Sequence, residues 1–249
     1  MDLHSYKEFY DKIGRLNGWD FSKLNVRTEG AAWDFYEEVA GKCKPSDLLL
    51  DIGTGGGEKL LQIADAALLA VGVDLSSSMV DTAKTNLERL GKRHVRFMQM
   101  DAGRLEFPAH FFNVACARHC GFDAKETARV LAEDGVFLTQ QVSERDKWNM
   151  KQAFGRGQHG IAEPGTLLKQ NVTALREAGF ADIKSFVYDA AVYYESCEDL
   201  IFLLTHTPIV PGFGEDPDDF ETLQTFVADN QTDQGIRTNE ERFMIIATK

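Results

Sequence analysis

Four glycines fall within five positions of this 249-residue chain, at Gly53, Gly55, Gly56 and Gly57, just behind the carboxylate of Asp51. Glycine lets the main chain bend sharply and lets a ligand come close to it, so the cluster suits a nucleotide-like group. Its neighbours narrow the choice. A dinucleotide turn wants glycine where Glu58 stands, and a carboxylate at a helix N-terminus repels a pyrophosphate. A phosphate-binding loop needs Ser or Thr after its lysine, and Lys59 is followed by Leu60. Asp74 stands about where a ribose-binding acid belongs after a glycine turn; the alternative is an acid that caps the helix beginning near Ser76. His119 is the best single candidate for a general base, because an unperturbed imidazole titrates near neutrality. Its alternative role is to hydrogen-bond a backbone group at the sheet edge.

These groups need strands and helices to bring them together. Residues 48–52 form a short apolar run that reads as a strand buried on both faces, and Leu60, Leu61 and Ile63 begin a helix after the glycines. A second apolar strand, 68–74, ends on Asp74, and a helix over 76–91 carries Met79, Ala83, Leu87 and Leu90 on one face. A third strand, 95–100, ends at Asp101 and Ala102, and a fourth, 111–118, ends at Arg118 and His119. A helix over 124–131 leads to a fifth strand over 136–142, a helix over 163–180 to a sixth over 183–194, and 242–248 closes the sheet. Ligands of open parallel sheets sit beyond the carboxyl ends of strands, so Asp74, Asp101, Arg118 and His119 all point to one edge.

Asp51-x-Gly53-x-Gly55-x-Gly57 resembles the first motif of the class I S-adenosylmethionine-dependent methyltransferases, and the likeness runs over about residues 48–142. Asp74 and Asp101-Ala102 fall on the next two strand ends, in the order that family uses. The resemblance implies an α/β fold: a doubly wound, mostly parallel seven-stranded sheet with one antiparallel strand near the edge. It implies S-adenosylmethionine as cofactor, held by Asp51, Gly53, Thr54, Gly55, Asp74, Leu75, Asp101 and Ala102. That cofactor carries a positive sulfonium and no phosphate, so nearby carboxylates suit it. The implied chemistry is in-line attack of an acceptor atom on the methyl group. The expected organisation is one domain, with an N-terminal helical lid over 1–45, a cofactor-binding core over 46–195, a helical insertion over 196–241 and a closing strand over 242–249. In the lid, helices are expected over 5–16 and 29–43; Tyr10, Trp19 and Arg27 either face the substrate or pack the helices onto the core. Tyr10, Arg118 and His206 are the candidate substrate residues. The insertion, with His206 and Phe213, either shapes the acceptor pocket or only stiffens the edge of the sheet.

Departures from the family narrow the acceptor. Asn113 replaces a common Asp, at a position far from the site. No Asn or Asp is followed by Pro-Pro-Tyr or Pro-Pro-Phe, and no Pro-Cys nucleophile is present, which weighs against methylation of nucleic-acid bases. A net charge of −12 weighs the same way, since phosphate contacts need a basic surface. The expected acceptor is therefore a small molecule, with no membrane partner. RNA or protein methylation at a sparse rim of Arg27, Arg118 and Arg156 is the alternative, as is a cofactor-binding module without turnover; a nucleotide-dependent oxidoreductase is disfavoured by Glu58. The four scattered cysteines read as reduced thiols, and no metal site is expected. The N-terminus does not read as a leader and no run approaches membrane-spanning length, so a cytosolic location is the expectation.

Overall fold

The computed structural model describes residues 24–160 and 163–249. The expected helix over 5–16, with Tyr10, and the turn carrying Trp19 lie outside the described residues.

The described residues form a nine-stranded mixed sheet. Its parallel half runs β4 (Val95–Gln99), β3 (Leu69–Asp74), β2 (Leu48–Ile52), β5 (Phe112–Arg118), β6 (Leu131–Val142). Next to β6 lies β9 (Gly235–Thr248), antiparallel to it, then β7 (Asp182–Tyr194), antiparallel to β9, and last β1 (Val26–Glu29), antiparallel to β7. A two-residue strand, β8 (Gln231–Thr232), pairs with the start of β9. The expected seven strands are thus present, with β9 as the reversed strand one place from the expected edge, and β1 and β8 are additions.

Alternation along each strand splits the core between the two faces of the sheet. Leu50, Ile52, Val71 and Val73 pack with Phe112, Phe137 and Leu175 on one side. Leu49, Ala70, Val114, Cys116 and Leu138 pack on the other against α1 (Phe35–Lys42), α2 (Glu58–Ile63) and α3 (Ser77–Leu90). Two of these helices, α1 and α3, begin on a side-chain cap. The Asp34 carboxylate accepts from the main-chain N–H groups of Tyr36 and Glu37 at 2.9 and 3.2 Å, and the Ser76 hydroxyl accepts from Met79 N–H at 3.3 Å. The first face is completed by α4 (Ala124–Val130) and α6 (Thr166–Glu177).

Two boundaries and one helix differ from the sequence reading. The expected helix over 29–43 begins only at Phe35, because Val26–Glu29 joins β7 as an exposed edge strand and Gly30, at φ 91°, breaks the chain before the helix. The closing strand starts at Gly235 rather than 242, so the insertion is shorter than expected. Residues 238–241 are polar and read as loop, but the β7–β9 ladder runs unbroken from Asp182↔Thr248 to Tyr194↔Ile236. That long hairpin carries a third core cluster, in which Val192, Tyr194 and Ile236 meet α7 (Cys197–His206), α8 (Asp219–Asn230) and a helix the sequence reading did not assign, α5 (Trp148–Phe154).

Candidate functional site

The glycine turn follows directly from β2. Gly53 and Thr54 both donate their N–H to the Val73 carbonyl, at 2.8 and 3.0 Å, which ties the turn to the neighbouring strand. Gly53 (φ 69°) and Gly57 (φ 75°) are left-handed, and each is also crowded: a Cβ would meet Cys120 Sγ at 2.5 Å over Gly53 and the Phe97 ring at 2.4 Å over Gly57. Glycine is therefore needed for room as well as for conformation. Thr54 is buried within the turn. Cys120 holds its place above Gly53 by donating its thiol to the Ile52 carbonyl at 3.0 Å.

Strand pairing sets the acids side by side. Ile52 pairs with Val73 and Asp74 with Gln99, so the ends of β2, β3 and β4 are adjacent. The half-buried Asp74 carboxylate accepts from Gly55 N–H and from Ser76 N–H, both at 2.9 Å. Ser76, not Asp74, caps α3, and Asp74 instead faces the turn. Leu75, half-buried beside it, accepts at its carbonyl from the Gln99 amide at 3.0 Å. Asp101 is exposed beyond β4, its carboxylate accepting from Gly103 N–H at 2.8 Å, with Ala102 half-buried next to it. A glycine main chain at Gly55, at φ 58°, and two carboxylates on neighbouring tips fit a cationic nucleoside and oppose an anionic one.

Asp51 lies beneath this surface, fully buried. It pairs in register with Cys116, whose thiol donates to it at 3.2 Å, and the Tyr36 hydroxyl sits 3.4 Å from both of its oxygens. Burial raises its pKa to about 6, against the pull of its hydrogen-bond donors. Its contacts are with protein, so it supports the turn from below. Tyr36 and Cys116 are members of this group that the sequence reading did not find; the register of β2 against β5 is the signal that would have paired Cys116 with Asp51.

A second group occupies the ends of β5 and β6. Gln140 accepts at Oε1 from the indole N–H of Trp33 at 2.7 Å, and its amide nitrogen lies 3.0 Å from Nε2 of His119. Indole is a donor only, so the amide oxygen faces Trp33 and the amide N–H faces the imidazole. Nε2 of His119 is then an acceptor and the proton sits on Nδ1. Burial, with Arg118, Arg242 and Lys147 nearby, holds the His119 pKa well below its usual value, so the ring is neutral. His119 N–H also donates to the Gln140 carbonyl at 2.8 Å, at a φ of 55°. Arg118 is half-buried on the same strand end.

The other candidates lie elsewhere. His206 ends α7, stacked on Phe202 at 4.0 Å with Nδ1 2.8 Å from the Phe202 carbonyl, so it is turned onto its own helix. Phe213 packs between Phe154 and Phe220, against the third core cluster. Arg156 is held bidentately by the buried Asp219 at 2.6 and 2.8 Å, and Arg27 pairs with Glu29 at 3.3 Å over the Tyr193 ring. Arg27, Arg118 and Arg156 therefore do not present a common basic rim. Among the described residues no cluster of three His, Cys, Asp or Glu is arranged to hold a metal, and no helix is long and apolar enough to cross a membrane.

Residues 49–135 match the methyltransferase domain family. Over 104 residues the chain is 33% identical to YcgJ of Bacillus subtilis, named as an uncharacterized methyltransferase; the match takes in 39% of this chain and spans 41% of that relative's length. An uncharacterized protein of Methanocaldococcus jannaschii is 25% identical over 187 residues, 74% of this chain and 70% of the other. In fold, the chain is similar to the crystal structure of YcgJ, with a TM-score of 0.58 at 22% identity over 86% of this chain and 95% of that one. It is similar also to a functionally unknown protein of Deinococcus radiodurans, with a TM-score of 0.62 at 15% identity over 98% of both chains.

Proposed function

We propose that the chain is a class I S-adenosylmethionine-dependent methyltransferase that transfers a methyl group from S-adenosylmethionine to a small-molecule acceptor. The observation that carries this reading is the adjacency of the glycine turn, Asp74 and Asp101 on three neighbouring strand tips. Bound there, the cofactor supplies an electrophilic methyl group on a sulfonium. Gly53 and Gly55 offer it main chain without side chains, Asp74 accepts from the ribose hydroxyls, and Asp101 with the Ala102 N–H meets the adenine edge. Leu75 walls the same space, and the buried Thr54 and Asp51 stiffen the turn from below.

The acceptor side follows from the ends of β5 and β6. His119 is neutral, but its Nε2 lone pair is engaged by Gln140, so it takes a proton there only after that amide turns away. Holding the acceptor in line with the methyl group can itself supply ~7–11 kcal/mol, which leaves a base necessary only for acceptors protonated at neutral pH. The overall charge of −12, and the internal pairing of Arg27 and Arg156, favour a small acceptor over a polyanion.

Calorimetry with S-adenosylmethionine tests the cofactor site, and labelled methyl transfer to fractions of a cell extract tests the acceptor. Binding with label recovered in small molecules is expected. No binding at millimolar cofactor overturns the reading, and label retained in RNA or protein overturns the acceptor class.

A further inference from the structure

Arg118 stands out among the charged groups at the strand tips. It is half-buried, and its side chain makes no hydrogen bond or ion pair with any other described residue. The pairing register places it opposite Gln140, places Arg242 opposite both Val142 and Tyr188, and so sets Arg118, Gln140, Arg242 and Tyr188 on one face of the sheet. Arg242 is only 7% exposed. Its terminal nitrogens reach Asp146 and Glu240, while its buried Nε–H has no partner. The Tyr188 hydroxyl donates to Glu240 at 2.8 Å, and the Trp33 ring meets Tyr188 edge-on at 4.6 Å. The acids near Arg242 are thus engaged by Arg242, Tyr188 and the buried Lys147, which lies 3.8 Å from Asp146. None of them answers Arg118, and the imidazole beside it is neutral.

A half-buried guanidinium without a counter-ion is costly, and it is always charged. We propose that Arg118 anchors a carboxylate of the acceptor, with the orphaned Arg242 Nε–H as a second donor and Trp33 and Tyr188 flanking a flat apolar body, so that the acceptor is a small organic acid. One guanidinium without a counter-ion among the described residues matches a monoanion, and its planar fork matches a carboxylate. An oxygen so held is a poor nucleophile, so the methyl group goes to another atom of the acid. This inference rests on the methyltransferase reading above.

The test separates the two. Benzoate, benzamide and phenyl phosphate are each titrated calorimetrically into the protein saturated with S-adenosylhomocysteine, and benzoate also into the protein alone. Benzamide is expected to bind on the order of 10- to 100-fold more weakly than benzoate, and benzoate to weaken as much in Arg118→Gln, the usual range for a charge-assisted hydrogen bond. Arg118→Lys is expected to recover part of the loss. S-adenosylmethionine affinity is expected to stay the same in Arg118→Gln. Equal binding of benzoate and benzamide, indifference of benzoate to Arg118→Gln, tighter binding of phenyl phosphate or no binding of benzoate overturns the carboxylate anchor. Failure of the wild-type protein to bind S-adenosylmethionine overturns the methyltransferase reading, and leaves the benzoate result with the protein alone to decide on the anchor.

Discussion

The buried Asp51 gives a pH dependence whose size follows from its surroundings. Its carboxyl is fully buried, and its pKa rises from the ordinary 3.8 to about 6 mainly through burial. A raised carboxylate pKa means that folding disfavours the ionised form. The group therefore costs nothing below the unfolded pKa, its cost grows as pH rises, and the cost levels off above the folded pKa. Across that window the penalty reaches about 3 kcal/mol, at 1.36 kcal/mol for each tenfold change in proton affinity. Other groups titrate over the same range, and the buried Asp146, held low by Arg242 and Lys147, works in the opposite direction. Comparison with Asp51→Asn isolates the effect. The Asn oxygen can still accept from Tyr36 and Cys116, so a constant offset from the amide nitrogen is expected, and only the pH-dependent part is read. Urea unfolding of both proteins from pH 4 to pH 8 is expected to show the wild type losing ~2.5 kcal/mol relative to the variant, mostly below pH 7. Parallel curves would refute the assignment of a raised pKa to this carboxyl. A wild type that gains on the variant as pH rises would mean that its donors outweigh its burial.

Gly57→Ala forces a left-handed residue, at ~1–2 kcal/mol, and drives a Cβ into the Phe97 ring, at ~1–3 kcal/mol, so a loss of about 2–5 kcal/mol is expected in denaturant unfolding; a loss under 1 kcal/mol would show that Phe97 yields freely. Nitrogen-15 NMR is expected to find the His119 ring neutral through pH 6, with Nδ1 protonated and Nε2 bare, whereas an ordinary titration near 6.5 would mean that the Trp33–Gln140 chain does not set its tautomer. Asp74→Asn keeps the size of the side chain but removes its charge, so S-adenosylmethionine affinity is expected to fall on the order of 10-fold or more with unfolding little changed; unchanged affinity would place the ribose elsewhere.

The two halves of the site were not equally legible, and the difference lies in how each is assembled. Everything on the cofactor side is local. The turn follows its strand within one residue, Asp74 closes the next strand and Asp101 the one after, so strand pattern and glycine spacing suffice to bring them together. The capping alternative for Asp74 is removed locally, since Ser76 takes that role two residues on. The acceptor side is not local. Trp33, His119, Gln140, Tyr188 and Arg242 come from five separate segments, and Trp33 reaches Gln140 across 107 positions. No periodicity in one segment reports on another, so His119 and the polar strand end at Gln140 were legible one by one while the contact between them was not. The same limit explains β9: its polar start satisfies no apolar template, and only the pairing with β7, with Tyr188 and Arg242 opposite each other, makes it a strand. Register is a property of two chains of residues at once. Gln140, Tyr188 and Arg242 therefore lie where the register of β6, β9 and β7 places them, on the part of the sheet whose boundaries the sequence reading drew least well.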